Sequence, residues 1–305
     1  MSSTMRASAM HELPRPLVLC CHDAGSANLI AAWCAHDSGG IRLCAEGPAR
    51  DIFARESPSL VPVSLEAAFK GAACLLSGTG WASTLEHESR RLARERSLPQ
   101  LAVIDHWVNY AARFEREGRR ILPDGFVVTD VAAENLVRHT FGSDASISVW
   151  YNAYLDREVA KVSALRACAA EPPRRLLVVL EPVRNDWQPG ATRPAELRAL
   201  DYLISRLDEV LPKGVGRAVR LRTHPSEATA KYEAWIAGRH EVTVEMSTGG
   251  SLWQDLAWAD VVAGLNSYAL VVARTAGRRA VSYLPPGAPS CTLMAEGIEF
   301  MSRVA

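Results

Sequence analysis

The chain has 305 residues and lacks the compact signatures that would assign a chemistry at once. No GxGxxG turn or GxxxxGK[ST] loop occurs, which argues against Rossmann dehydrogenases and P-loop NTPases. No HExxH, HxxxH or DxD triplet occurs, so neither an obligatory metal nor another cofactor is expected. The seven cysteines are odd in number and form no CxxC pair. Most lie in apolar runs such as Leu17-Val18-Leu19-Cys20-Cys21. They read as reduced core residues of a cytoplasmic protein rather than a disulfide framework. No run of ~18 apolar residues is present, so no membrane-spanning helix is expected. A peripheral contact with a membrane surface stays open. Residues 1–16 have no apolar signal core and read as a flexible lead-in. Neither charge sign is in excess, with Lys+Arg and Asp+Glu both at 34. That argues against a nucleic-acid partner, although a nucleotide ligand needs only a few local cations.

What is present is a repeated local scheme. The length suits two domains, each able to bury its own core. The run Leu17–Cys21 reads as a buried strand, followed by the polar loop His22–Asn28 and a helix from Leu29. The scheme recurs at Ala72–Leu76, Leu101–Ile104, Gly125–Thr129 and Ile147–Trp150, with Asp130 capping the helix Val131–Thr140. Asp156–Ala170 reads as helix, and the break at Glu171-Pro172-Pro173 is the expected domain boundary. The scheme restarts at Leu176–Leu180. A helix is expected over Pro194–Leu211, and strands over Ala218–Arg222, 241–246, Asp260–Ala263 and Ala280–Leu284. The expected fold is therefore α/β, with two doubly wound Rossmann-like domains (17–170 and 171–305) facing each other. Their ligand crevice should lie where the carboxyl ends of both strand sets meet.

Five strand-end segments carry the candidate chemistry. In the first, His22 or Asp23 could act as general base on a hydroxyl, while Gly25, Ser26 and Asn28 contact substrate. Helix capping by Asp or Ser is the bland alternative. The second, Ser77-Gly78-Thr79-Gly80-Trp81, places Thr79 beside a sugar or anion. The third pairs Asp105 and His106 as acid–base groups with Trp107, Asn109 and Arg113, mixing flat rings with hydrogen-bonding groups as sugar recognition needs. A buried His with Trp107 and Tyr110 in the core is the alternative. The fourth delivers Arg222, His224, Pro225 and Lys231 to a phosphate. The fifth offers Asn266, Ser267 and Tyr268, with free backbone N–H groups, to phosphate oxygens; routine capping would use the same residues. Glu181, with Arg184 and Asn185, could reach the same crevice.

The segments Arg222-Thr223-His224-Pro225, Gly264–Ala269 and Gly277–Ser282 resemble the nucleotide-binding half of GT-B glycosyltransferases. The His-Pro pair and the Ser-bearing loop are similar to bacterial sialyltransferases and capsule polymerases of that fold. The strand–loop–helix order also resembles nucleotide-sugar 2-epimerases. The resemblance implies that His224, Asn266 and Ser267 contact the nucleotide phosphate of a CMP- or UDP-linked sugar. His22-Asp23-Ala24-Gly25 stands where those sialyltransferases carry an acidic pair before a glycine. The implied function is metal-independent glycosyl transfer to a small-molecule or glycan acceptor. Nucleotide-sugar hydrolysis, 2-epimerisation, or non-catalytic nucleotide-sugar binding within a biosynthetic complex are the alternatives.

Overall fold

The computed structural model describes residues 9–35, 39–166, 168, 170–183, 187, 190–214, 216–224, 227–239 and 242–301. Two compact units divide the chain, Met1–Tyr154 and Leu155–Ala305.

Unit 1 is built on six parallel strands: β1 (Leu17–Cys21), β2 (Ile41–Ala45), β3 (Cys74–Ser77), β4 (Gln100–Val103), β5 (Gly125–Val128) and β6 (Ile147–Val149). Their order is β2-β1-β3-β4-β5-β6. β1 lies inside the sheet, next to its edge strand, and all five of its residues are buried, which is why it reads as an unbroken apolar run. It is paired in parallel on both sides, Leu17 opposite Ile41 and opposite Cys74. Burying each Leu or Val of such a strand stabilises by about 1.5–3 kcal/mol. The first helix, α1 (Ala24–Cys34), packs Leu29, Ile30 and Trp33 onto this sheet. The segment expected to be a flexible lead-in is held from Ala9 onward. Met10 is buried in the core, and Arg15 donates to the carbonyls of Gly39 and Met10.

Unit 2 repeats the plan with β7 (Arg175–Val179), β8 (Ala218–Arg222), β9 (Thr243–Met246), β10 (Val261–Gly264), β11 (Arg279–Ser282) and β12 (Ile298–Phe300). The order is β9-β8-β7-β10-β11-β12, again parallel throughout. The helix expected over 194–211 is two, Ala195–Ser205 and Leu207–Val210, broken at Arg206. Its buried face, Ala199, Leu200, Leu203, Leu207 and Val210, continues across the break into one core. The carboxylate of Asp260, whose side chain is fully buried, locks the start of this unit. It accepts from the backbone N–H groups of Ala170, Arg174 and Arg175 and from the Arg166 guanidinium at 2.5 Å.

Each strand order reverses direction once. In unit 1 the chain goes out to β2 and returns to β3 on the other side of β1. In unit 2 it goes out through β8 and β9 and returns to β10 beside β7. At such a switch point the loops leaving the strand carboxyl ends part and open a crevice, the usual ligand site of open α/β sheets. The loops concerned follow β1 and β3 in unit 1, and β7 and β10 in unit 2. Among the described residues no helix is long and apolar enough to cross a membrane.

Candidate functional site

At the unit 1 switch point, Asp23 stands at the N-cap position of α1 with extended backbone, yet its carboxylate makes no capping bond. The capping alternative therefore does not account for this carboxylate. It lies instead against Gly80 of the β3 loop, where an added Cβ would come 2.2 Å from its Cγ. Its Oδ1 is 3.1 Å from Nδ1 of His22. The other His22 nitrogen, Nε2, packs against the Gly47 backbone. Asp23 is the more accessible of the two, with side-chain exposure of 32% against 19%. Beneath them the fully buried Glu86 accepts from the His22 N–H at 2.8 Å. Burial and the nearby Asp23 charge raise its pKa.

Asp105, just past β4, is held by Arg113, whose Nη1 donates to Oδ1 at 2.7 Å. Burial raises the Asp105 carboxyl, but the charges of Arg113 and His106 outweigh this and leave its pKa below the ordinary value. It is thus kept ionised, a poor proton-transfer group but a steady acceptor. The same Arg113 nitrogen donates to Thr79 Oγ1 at 3.0 Å, and Thr79 donates to the Val103 carbonyl at 2.8 Å. Gly25 faces Asp105, because a Cβ there would lie 1.6 Å from Oδ2. The close approach expected at Gly25 is that of the protein's own carboxylate.

The remaining unit 1 candidates divide into buried and open groups. Ser26 and Thr79 are fully buried, and the Ser26 hydroxyl bridges the Thr79 N–H and the Val103 carbonyl. Their hydroxyls brace the two loops from inside rather than facing a ligand. Asn28 is half-buried on α1. His106 Nδ1 accepts from the Trp107 N–H at 2.9 Å, and the Trp107 indole donates to Asp130 at 3.1 Å. Asp130 also caps the helix Val131–Phe141 through the Ala133 N–H. Tyr110 belongs to the core. Asn109 is exposed in the left-handed region, with φ 60°, and its carbonyl accepts from the Arg113 N–H.

At the unit 2 switch point the amides expected to receive phosphate already hold a carboxyl group of the protein itself. Glu181, two residues past β7, accepts from the N–H groups of Leu265 and Asn266 at 3.2 and 2.9 Å, and the Ser267 N–H assists. Burial pushes its carboxyl up to about 7, against the pull of those amides. The Asn266 side chain is turned to Thr292, accepting from its N–H at 2.8 Å. Ser267 Oγ accepts from the Ala269 N–H at 3.3 Å, a turn bond made from the position before the N-cap, because the N-cap residue is Tyr268 and makes no side-chain cap bond. Tyr268 is half-buried at the start of the helix Ala269–Thr275.

Both cations expected to bind phosphate are paired within the protein. Arg222 donates to Asp255 at 2.6 Å and to the Gly250 carbonyl at 2.7 Å. Lys231 bonds Glu196 at 2.7 Å and also Glu227. His224 is exposed, with its carbonyl accepting from the Glu227 N–H. Pro225, Arg184 and Asn185 lie outside the described residues. Glu86, Asp255 and Glu227 escape sequence reading because buried acids on amphipathic helices and loops look like solvated charge. The one cue is the i,i+4 spacing of Glu86 and Arg90, on the same helix face as the small residues Ser89 and Ala93. Arg90 is fully buried and donates to Ser77 Oγ and the Gly78 carbonyl, fixing the β3 loop from below.

No family model matches the chain, and a search of curated proteins returned no match. Among solved structures it is similar to a putative UDP-N-acetylglucosamine 2-epimerase from Listeria monocytogenes, with TM-score 0.61 and 12% identity over 88% of this chain and 79% of that one. It is also similar to MnaA from S. aureus solved with UDP, with TM-score 0.60 and 11% identity over 87% and 78%. A third is the UDP-GlcNAc 2-epimerase from Neisseria meningitidis bound to UDP-GlcNAc, with TM-score 0.53 and 12% identity over 87% and 81%. The fold is GT-B-like. At these identities the likeness establishes architecture, two Rossmann-like domains in tandem, while site chemistry rests on this chain's own residues. Among the described residues no group of three or more His, Cys, Asp or Glu side chains is placed to hold a metal ion.

Proposed function

We propose that this protein is a GT-B-type enzyme acting on a UDP-linked sugar, with unit 2 holding the nucleotide and unit 1 supplying the reacting groups. The observation that carries the reading is the Asp23 carboxylate. It stands at a switch-point rim beside Gly80 and 3.1 Å from His22, with no capping role. In the glycosyl-transfer version, Asp23 takes the proton of an acceptor hydroxyl as that oxygen bonds to the anomeric carbon. The bond from that carbon to the diphosphate breaks, and UDP leaves with the electron pair. His22 positions Asp23, and Asp105, kept ionised by Arg113, accepts a hydroxyl hydrogen bond. The UDP assignment draws on solved structures of the same fold that carry UDP or UDP-GlcNAc.

Replacing Asp23 by Asn removes the base while keeping the shape. Turnover is expected to fall ~100-fold or more, with UDP affinity within about twofold. Unchanged turnover defeats the assignment. We also propose that the reaction needs no metal, so activity should survive EDTA.

The fold likeness to 2-epimerases favours a second reading on the same residues. Inverting C2 requires breaking the C2–H bond. Incubation with UDP-GlcNAc in D2O without acceptor therefore separates the two. An epimer carrying deuterium at C2 selects epimerisation, and donor consumed only when an acceptor is added selects transfer.

A further inference from the structure

The unit 1 rim carries one large aromatic side chain that takes no part in the proton transfer proposed at Asp23. Trp81 follows Gly80 in the loop after β3 and, at 41% exposure, is the most open of the eight tryptophans. A lone exposed apolar side chain is ordinary, so the setting decides. The Arg113 guanidinium lies on one side of the ring, 6.0 Å from its centroid. Arg116 donates to the Gly80 carbonyl at 2.6 Å, which ties the loop down. Asp23 packs directly on Gly80, and Arg113 also grips Asp105. The indole thus stands on the loop that packs against the proposed base, and it shares Arg113 with Asp105.

A flat apolar surface next to hydrogen-bond acceptors matches a pyranose, which has an apolar C–H face and a rim of donor hydroxyls. The charges narrow the class. Asp23 packs on the neighbouring Gly80, and the Arg113 guanidinium beside the ring is already paired with Asp105, so a sugar carboxylate reaching Asp23 would meet like charge. We propose that Trp81 is the stacking platform for an uncharged pyranose ring whose hydroxyls reach Asp23. The inference rests on the nucleotide-sugar reading and names the sugar class that reading leaves open.

The test uses the full chain with Trp81→Ala and Trp81→Phe, whose melting should match the parent because the side chain is exposed. Saturation-transfer NMR is recorded with free N-acetylglucosamine and, separately, glucuronate. Calorimetry is run with UDP and UDP-GlcNAc. The expected result is a transfer signal from N-acetylglucosamine that Trp81→Phe keeps and Trp81→Ala loses, with none from glucuronate. UDP affinity should be the same in all three proteins, and UDP-GlcNAc should bind Trp81→Ala about tenfold more weakly. The inference is overturned if Trp81→Ala binds both sugar ligands as the parent does, or if glucuronate is the preferred sugar. Should the parent bind neither UDP nor UDP-GlcNAc, the nucleotide reading falls. The free-sugar arm then still decides the role of Trp81, since a Trp81-dependent signal upholds it and no signal from any sugar overturns it.

Discussion

Glu181 occupies the backbone amides that the sequence assigns to a phosphate. A carboxylate and a phosphate oxygen satisfy the same N–H groups, so the two compete. The folded-state pKa of Glu181 is raised to about 7, so the folded protein holds it neutral below that pH and charged above it. Its favourable contribution is complete below the ordinary carboxyl range and is lost as pH rises through about 7. Glu181→Gln keeps an acceptor for the amides without the charge. The variant should match the parent near pH 5 and exceed it near pH 8, by on the order of 1 kcal/mol after solvent screening. UDP should also bind the parent more tightly at pH 6 than at pH 8, a dependence the variant loses. Thermal melts and calorimetry across that range check both, and a constant offset at every pH would contradict the competition. Asp23 shows the opposite case. Its residue type and position suit both a base and a helix cap, and in the fold its carboxylate makes no cap bond.

Elements explain why some of this was legible and some was not. β1, β7 and β10 are continuous apolar runs because both sheet faces are covered, so their existence and the loops after them follow from periodicity. β2 and β12 do not follow from hydropathy. β2 carries Arg42 between Ile41 and Leu43, and β12 is a three-residue edge strand with Glu299 and Phe300 exposed. Polar interruptions of this kind hide an edge strand from a hydrophobic pattern. Periodicity locates the loops, but it does not give the partners of their side chains. Arg222 pairs with Asp255 and Lys231 with Glu196, contacts made across tens of residues. The contact between α1 and the β4 loop gives a direct test. A Cβ at position 25 would collide with Asp105. Gly25→Ala should destabilise the protein by about 1–3 kcal/mol in chemical denaturation. In an Asp105→Ala background the same change should cost much less, and equal costs would show that the two do not touch.

At the scale of the molecule, one fold plan is used twice with different strand orders, and each copy places its polar loops at a switch point. Unit 2 depends on Asp260 to join its leading segment to β7 and β10. Burial opposes that charge, but the N–H groups of Ala170, Arg174 and Arg175 and the Arg166 guanidinium lower its pKa to about 2. A depressed carboxyl contributes stability above its unfolded value that disappears as pH falls through the folded one. Asp260→Asn should therefore lose about 2 kcal/mol at neutral pH, with the gap to the parent closing between about pH 4 and pH 2 in acid titration. A gap that persists at pH 2 would contradict the assignment. The central claim is that the chain is built around a UDP-linked sugar. A thermal-shift panel of CMP, CDP, UDP, GDP and dTDP tests it most directly. UDP alone is predicted to raise the melting temperature, by roughly 5 °C at about 100 times Kd, whereas no shift with any nucleotide, or a shift with a different base and not uridine, would contradict the account.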